Sequence, residues 1–227
     1  MAKFIKVKML KNDSLGKKGE IIMVEERYAQ LYFFPRNKAV LMEESDKNKL
    51  EAGYPIPKHL KDILIPMGTE NDENRIDGGV RCLCGCETFS VSIYGDKEGQ
   101  DIYVGEYNND SALMIKAECT ECHKTHLIFD LSKHGWNGFV CHDGVTVPDD
   151  ELFPWPCKKC NSDVHRIQLT IISEGKEDYI DNLGDDIGDG KAFSEDDWVE
   201  AFGWITISLI CSHCGFNDDR WIDYETM

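Results

Sequence analysis

Closely spaced cysteine pairs occur in two sets along this chain, and they restrict the folds that are open to it. A short turn with a cysteine at each end presents two sulfur atoms to one metal ion, and two such turns complete a tetrahedral site. The spacing therefore predicts two separate four-cysteine metal sites. The predicted ligands are Cys82, Cys84, Cys119 and Cys122 in the first site, and Cys157, Cys160, Cys211 and Cys214 in the second.

The segments between the cysteine pairs repeat as well. Both copies run in the order cysteine turn, strand, loop, strand, cysteine turn, strand, with alternating and β-branched residues in the strand segments. We therefore predict two mainly-β zinc ribbons related by internal duplication, over residues 81–140 and 155–227. Residues 53–80, which contain several prolines and a polar, glycine-containing run, and residues 141–154 are predicted to be linkers.

Zinc is the expected metal in both sites. The N-terminus lacks the apolar core of a signal peptide, so we expect a cytoplasmic protein, in which ten cysteines indicate metal binding rather than disulfides. Four thiolate ligands leave no open coordination position, so both zinc ions are predicted to be structural. The alternatives are free core cysteines or redox pairs, but a thioredoxin-like motif would be followed by a helix, and strand patterns follow here. Cys86 could replace Cys82 or Cys84 as a ligand, and Cys141 has no partner at ligand spacing.

The charge of the chain is divided unevenly along its length. Residues 1–50 hold 11 basic and 7 acidic side chains, whereas the remainder holds 14 basic and 35 acidic ones. The formal net charge of −17 therefore combines a basic head with a strongly acidic body. The head could bind nucleic acid, while the body would be repelled by it and could bind a basic protein partner.

The sequence lacks several motifs that would indicate calcium binding, catalysis or a membrane span. The acidic segment 174–197 is predicted to be a solvated loop, because no frame in it supplies the ligand spacing of a calcium loop. The sequence contains neither a nucleotide-binding glycine motif nor a nucleophile motif, so we expect no enzymatic activity and no small-molecule substrate. No stretch approaches the roughly 20 apolar residues of a membrane helix, so no membrane contact is expected.

The first fifty residues have a different pattern from the rest. Residues 5–10, 20–24 and 39–42 alternate like strands, and residues 25–34 read as a short helix that ends before Pro35. The turn between the first two strands is a loop of glycine and lysine. Such a loop suits phosphate contact, because backbone amides and ammonium groups can approach together.

Four segments of this region match a known family pattern, namely Val7–Leu10, Leu15–Ile21, Tyr28–Ala29 and Pro35–Val40. Through these segments, residues 3 to about 52 resemble the N-terminal domain of bacterial large-subunit ribosomal protein nine. The resemblance implies a three-stranded antiparallel sheet with a packed helix that binds large-subunit ribosomal RNA. Arg27, Leu31 and Asn37 depart from the family pattern. The RNA-binding residues that the resemblance implies are Gly16, Lys17, Lys18, Gly19, Tyr28, Arg36 and Lys38.

Together these features predict an α+β chain with an RNA-binding domain over residues 1–52 followed by the two ribbons. We expect a non-enzymatic, ribosome-associated protein that contains two zinc ions and binds large-subunit ribosomal RNA through its N-terminal domain. The alternative is an acidic zinc-ribbon adaptor that binds a protein of the translation or transcription machinery, in which the N-terminal domain is retained only as a fold.

Overall fold

The computed structural model describes residues 4–9, 11–17, 21–36, 38–41, 55–67, 71–186 and 193–227. The chain divides into two compact units, Met1–Gly53 and Tyr54–Met227. Strands dominate and helices are few in the described residues. None of the described helices is long and apolar enough to cross a membrane.

The first unit is a three-stranded antiparallel sheet with a helical stretch. The strands β1 (Phe4–Met9), β2 (Ile21–Glu25) and β3 (Ala39–Leu41) are arranged in the order β2-β1-β3. The helical stretch is irregular, and passes from an α-turn at Glu26–Tyr28 through a π-helical segment at Ala29–Phe33. Buried residues recur at helical spacing in this stretch and alternate along the strands, so the apolar side of the stretch packs on the sheet. The core residues of this unit are Val7, Met9, Val24, Ala29, Phe33 and Ala39.

The second unit is built on a nine-stranded sheet. In chain order its strands and those of two small hairpins are β4 (Leu64–Pro66), β5 (Arg75–Val80), β6 (Phe89–Tyr94), β7 (Asp96–Glu98), β8 (Asp101–Tyr103), β9 (Gly105–Tyr107), β10 (Asp110–Ala112), β11 (Met114–Cys119), β12 (Thr125–Asp130), β13 (Phe153–Pro154), β14 (Val164–Ile172), β15 (Trp204–Cys211) and β16 (Asn217–Glu225). The strands carrying the two cysteine repeats follow the order β12-β11-β6-β14-β15-β16, and three further strands, β4, β5 and β13, pair alongside this path. The two hairpins, β7-β8 and β9-β10, lie in the loop of the first repeat.

Strand β14 joins the two cysteine repeats. One of its sides pairs with β15 from His165 to Ile172. Its other side pairs with β6 of the first repeat at Val164 and His165, and with β5 from Gln168 to Ile172. The two repeats are therefore halves of one sheet with one continuous core, rather than separate ribbons joined by a linker.

The segments predicted to be linkers are part of this sheet. Strands β4 and β5 lie within residues 53–80, and Leu60, Ile63 and Ile76 of that segment are buried in the main core. In residues 141–154, Val147 is buried and β13 pairs with β6. Gly78 and Gly79, which suggested a turn, occur where β5 lies closely against β4.

The acidic segment predicted to be a loop contains the helix Lys176–Asp186 and a 3-10 turn at Glu195–Val199. Tyr179 on this helix is buried with Val140 and Ala201 in a small second core. Burial of Tyr179 anchors this helix to the protein, and half of the other residues of the helix are acidic. The solvated character predicted from the charge therefore describes one face of this segment.

Candidate metal centres

The structure brings the eight predicted ligands together as two tetrads. The first consists of Cys82, Cys84, Cys119 and Cys122, and the second consists of Cys157, Cys160, Cys211 and Cys214. Within each tetrad all four sulfur atoms lie within 4.8 Å of one another. The two sets are therefore positioned to bind metal ions.

The sulfur separations fit a tetrahedral thiolate site. In the first tetrad the Sγ atoms of Cys82 and Cys122 are 3.4 Å apart, and in the second those of Cys160 and Cys211 are 3.5 Å apart. A disulfide would bring two sulfurs to about 2.05 Å. Four sulfurs at about 2.3 Å from a central zinc ion would lie about 3.8 Å from one another. The tetrads thus have the size of a metal site, and all ten cysteines are free of disulfides.

Local turns aim each cysteine pair at its centre. In three of the turns, the N–H of the residue four positions after the first cysteine donates to the carbonyl of that cysteine, and this residue has a positive φ. These residues are His123, Asn161 and Gly215. The irregular Cys82-Leu83-Cys84 turn closes one residue earlier, at Gly85 with φ 94°, which is why a shorter spacing still presents two sulfurs.

As free thiols, the cysteines of each tetrad differ in acidity. Burial opposes ionisation of Cys211, but hydrogen bonds from the N–H groups of Cys214 and His213, with the neighbouring thiols, lower its pKa to about 6. The N–H of Cys86 favours the thiolate of Cys84, yet burial and the neighbouring thiols raise its pKa to about 12. A metal ion would displace the remaining protons, because cysteine binds metal as the thiolate.

The remaining cysteines lie outside the tetrads. The Sγ atom of Cys86 is 3.2 Å from Oγ1 of Thr88 and 3.5 Å from Oγ1 of Thr120, so the structure places Cys82 and Cys84, rather than Cys86, in the first tetrad. Cys141 is exposed at the end of a short π-helical segment.

One side chain beside the first tetrad was not predicted from the sequence. The ring of His126 on β12 is buried, and its Nε2 lies 3.3 Å from Sγ of Cys82. Its position four residues after Cys122, inside an alternating strand, was the available signal. That signal is weak, because a buried histidine in a strand is common without any metal nearby.

A single row of residues connects the two tetrads across the sheet. Cys119 on β11 pairs with Phe89 on β6, Phe89 pairs with His165 on β14, and His165 pairs with Cys211 on β15. Three strand spacings of about 4.8 Å place the two cysteines of this row about 14 Å apart. Both centres therefore lie at the same end of the strands.

The structure places the predicted RNA-binding residues of the first unit as follows. Lys17 is exposed, and Tyr28 is 40% exposed with its ring against Tyr32. The exposed Arg36 lies over the Tyr32 ring and donates to the carbonyl oxygens of Leu31 and Tyr32. Gly16 is half-buried in the turn, and Lys18 and Gly19 lie outside the described residues.

Lys38 is engaged inside the first unit. Its Nζ is 2.6 Å from Oδ2 of Asp13 and donates to the hydroxyl of Tyr32. The hydrogen bond between the two charged groups lowers the pKa of Asp13 and raises that of Lys38. This ion pair ties Asp13 to Lys38, which directly precedes β3.

Comparison with known proteins gives a match in the first unit. No curated protein and no solved structure matches the chain. Residues 5–50 match the family model described as ribosomal protein L9, N-terminal domain. This range confirms the resemblance found over residues 3 to about 52, and the match does not extend to the two cysteine tetrads. The N-terminal segment of this chain is thus similar to the L9 N-terminal domain, which is a domain of a ribosomal protein.

Proposed function

We propose that this protein associates with the ribosome by binding large-subunit ribosomal RNA through residues 5–50, and that its second unit is held together by two structural zinc ions. The observation that carries the first part is the match of residues 5–50 to the L9 N-terminal domain. The two cysteine tetrads carry the second part. No enzymatic step is assigned to the chain.

The surface of the first unit supports contact with RNA. Lys17 and Arg36 are exposed and basic, and Tyr28 offers part of an aromatic ring. Basic side chains neutralise phosphates, and aromatic rings can stack on bases. The basic balance of residues 1–50, against the acidic remainder, points to the same part of the chain.

The chemistry of the tetrads supports zinc. Four thiolates favour zinc and iron–sulfur chemistry over the hard cations magnesium and calcium, which prefer oxygen ligands. The separation of the sulfurs suits a single ion in each tetrad. Because four cysteines fill a tetrahedral shell, the zinc would supply folding free energy rather than a site for substrate.

The purified protein should contain two zinc ions per chain by elemental analysis.

The test of RNA binding is co-sedimentation of the full-length protein with large ribosomal subunits over a range of salt concentrations. A Lys17→Ala/Lys18→Ala variant should bind more weakly, and the slope of log affinity against log salt should fall by about 1 for each lysine that neutralises a phosphate. The matched control is Lys61→Ala/Lys124→Ala, which removes two exposed lysines from the second unit. Equal behaviour of the two variants, or no sedimentation with the subunit at any salt, would contradict the proposal.

A second candidate function rests on the acidic charge of residues 51–227. In that case the second unit would bind a basic protein of the translation or transcription machinery. The two candidates differ in what the Lys17→Ala/Lys18→Ala variant retains. Undiminished capture of the same basic partner by this variant, with no dependence on RNA, would favour the adaptor.

The same capture can be measured with a fragment that lacks the first unit. This fragment should begin at residue 54, because β4 and β5 belong to the core of the second unit.

A further inference from the structure

The two metal centres differ in the side chains that surround their sulfur atoms. In the first tetrad, Nε2 of His126 lies 3.3 Å from Sγ of Cys82, and both residues are buried, at 8% and 2% exposure. In the second tetrad, no described side-chain nitrogen lies within hydrogen-bond distance of a sulfur. The buried imidazole nearest to it in the sheet, His165, instead contacts the carbonyl oxygen of Asp163 through Nδ1.

The ring of His126 is held in place by the sheet. His126 pairs with Ala117 of β11, the strand that leads to Cys119. The ring meets the Phe89 ring edge-on, with centroids 6.2 Å apart and planes at 82°. Since both the backbone and the ring are constrained, Nε2 is directed at Cys82 by the fold.

The polarity of this contact follows from the chemistry of the ligand. A cysteine that binds zinc is a thiolate, which can accept hydrogen bonds but has no proton to donate. The imidazole nitrogen facing it must therefore carry the hydrogen, which makes His126 the Nε2–H tautomer. Hydrogen bonds to an ionised acceptor are about twice as strong as neutral ones.

We propose that His126 is a positioning residue of the first metal centre, with its Nε2–H donating to the Cys82 thiolate. The inference rests on zinc occupying the first tetrad, as proposed above. The hydrogen bond offsets part of the charge of four thiolates around one zinc ion and fixes the direction of the Cys82 sulfur. The first centre consequently has a side-chain hydrogen bond that no described residue provides at the second.

The experiment compares zinc binding by the full-length protein and three variants in competition with a chelator. His126→Phe keeps a ring beside Phe89 but removes the donor, and His126→Gln replaces it with an amide N–H. Removing a hydrogen-bond partner of a metal ligand typically costs 10–100-fold in affinity. We expect a loss of this size at the first centre in His126→Phe, a partial recovery in His126→Gln, and no change at the second centre. The control, His165→Phe, should leave the first centre unchanged.

A second readout reports on the sulfur itself. With cadmium-113 in place of zinc, the two centres should give separate NMR resonances, assigned with a Cys214→Ser variant that disables the second tetrad. His126→Phe should move only the resonance of the first centre, and His126→Gln should move it less. An unchanged resonance and affinity in a folded His126→Phe protein would overturn the inference, as would equal losses at both centres. A wild-type protein that binds no zinc at the first tetrad would instead overturn the proposed function.

Discussion

Two histidine rings, His59 and His134, lie face to face inside the second unit, with centroids 3.6 Å apart and planes only 4° from parallel. Nε2 of His59 donates to the carbonyl of Ile128, and Nδ1 of His134 accepts from the N–H of Asp130. Burial lowers the pKa of His59 to about 4 and that of His134 to about 2. Both rings are therefore neutral in the folded protein at neutral pH.

This pair predicts a loss of stability in mild acid. In the unfolded chain His59 would take up a proton near pH 6.5, but in the folded protein only near pH 4. The free energy of unfolding is therefore unaffected by protonation of His59 above pH 6.5 and decreases as the pH falls from 6.5 towards 4. The decrease due to His59 is on the order of 3 kcal/mol. Urea unfolding at pH 7 and pH 4.5 should show a smaller difference for His59→Phe than for the wild-type protein. An equal difference in both proteins would assign the acid sensitivity to other groups.

At the same scale, the sequence predicted well which cysteines come together and predicted the neighbouring residues poorly. Cysteine spacing alone was enough to predict all eight members of the tetrads, because short turns impose the geometry locally. The contact of His126 with Cys82 and the ion pair of Lys38 with Asp13 join residues far apart in the sequence. Nothing local encodes such pairings, so they required the structure.

Among the elements, the strands of the repeats could be predicted from alternation, whereas β4 and β5 could not. Each of these two strands contains residues that normally interrupt a strand, Pro66 in β4 and Gly78–Gly79 in β5. The glycines are needed for packing. A Cβ at Gly78 would lie 2.9 Å from the carbonyl oxygen of Ile65 and 2.7 Å from a methyl carbon of Leu64. The helix Lys176–Asp186 was missed because aspartate, asparagine and glycine have low helix propensity.

The close approach at Gly78 can be tested by adding one methyl group. Gly78→Ala should destabilise the second unit by about 1–3 kcal/mol, because the partner strand must shift. Gly79→Ala is the matched control, since its Cβ would meet only the flexible end of Met67. The free energies of unfolding from urea titrations provide the comparison. A smaller effect at Gly78 than at Gly79 would contradict the packing argument.

For the whole molecule, the shared sheet changes the expected response to loss of metal. The two predicted ribbons were separate bodies, whereas the structure gives them one core and a common strand, β14. The repeat pattern in the sequence describes each half correctly but contains no information about how the halves pair. Pairing of β6 with β14 is a long-range contact that alternation does not specify.

We therefore expect the second unit to unfold as a whole when zinc is removed. All five tryptophans lie in residues 136–221, so tryptophan fluorescence reports on the second unit alone. An excess of a strong chelator, which removes both ions, should change tryptophan fluorescence and speed amide hydrogen exchange in both halves of the second unit, while exchange in β1–β3 stays unchanged. Either a Cys157→Ser or a Cys84→Ser substitution should lower the unfolding temperature of the entire second unit. Two separate transitions would indicate that the halves fold independently.

The row formed by Cys119, Phe89, His165 and Cys211 joins parts of the chain that are synthesised at different times. Residues of the first half leave the ribosome before those of the second, so β6 and β11 exist before β14 has been made. Until residues 164 and 165 have been added, the edge of β6 that will receive them has no complete partner, and unpaired strand edges promote aggregation. A nascent or truncated chain that ends within this interval would therefore expose the edge that the finished protein covers with its own later half.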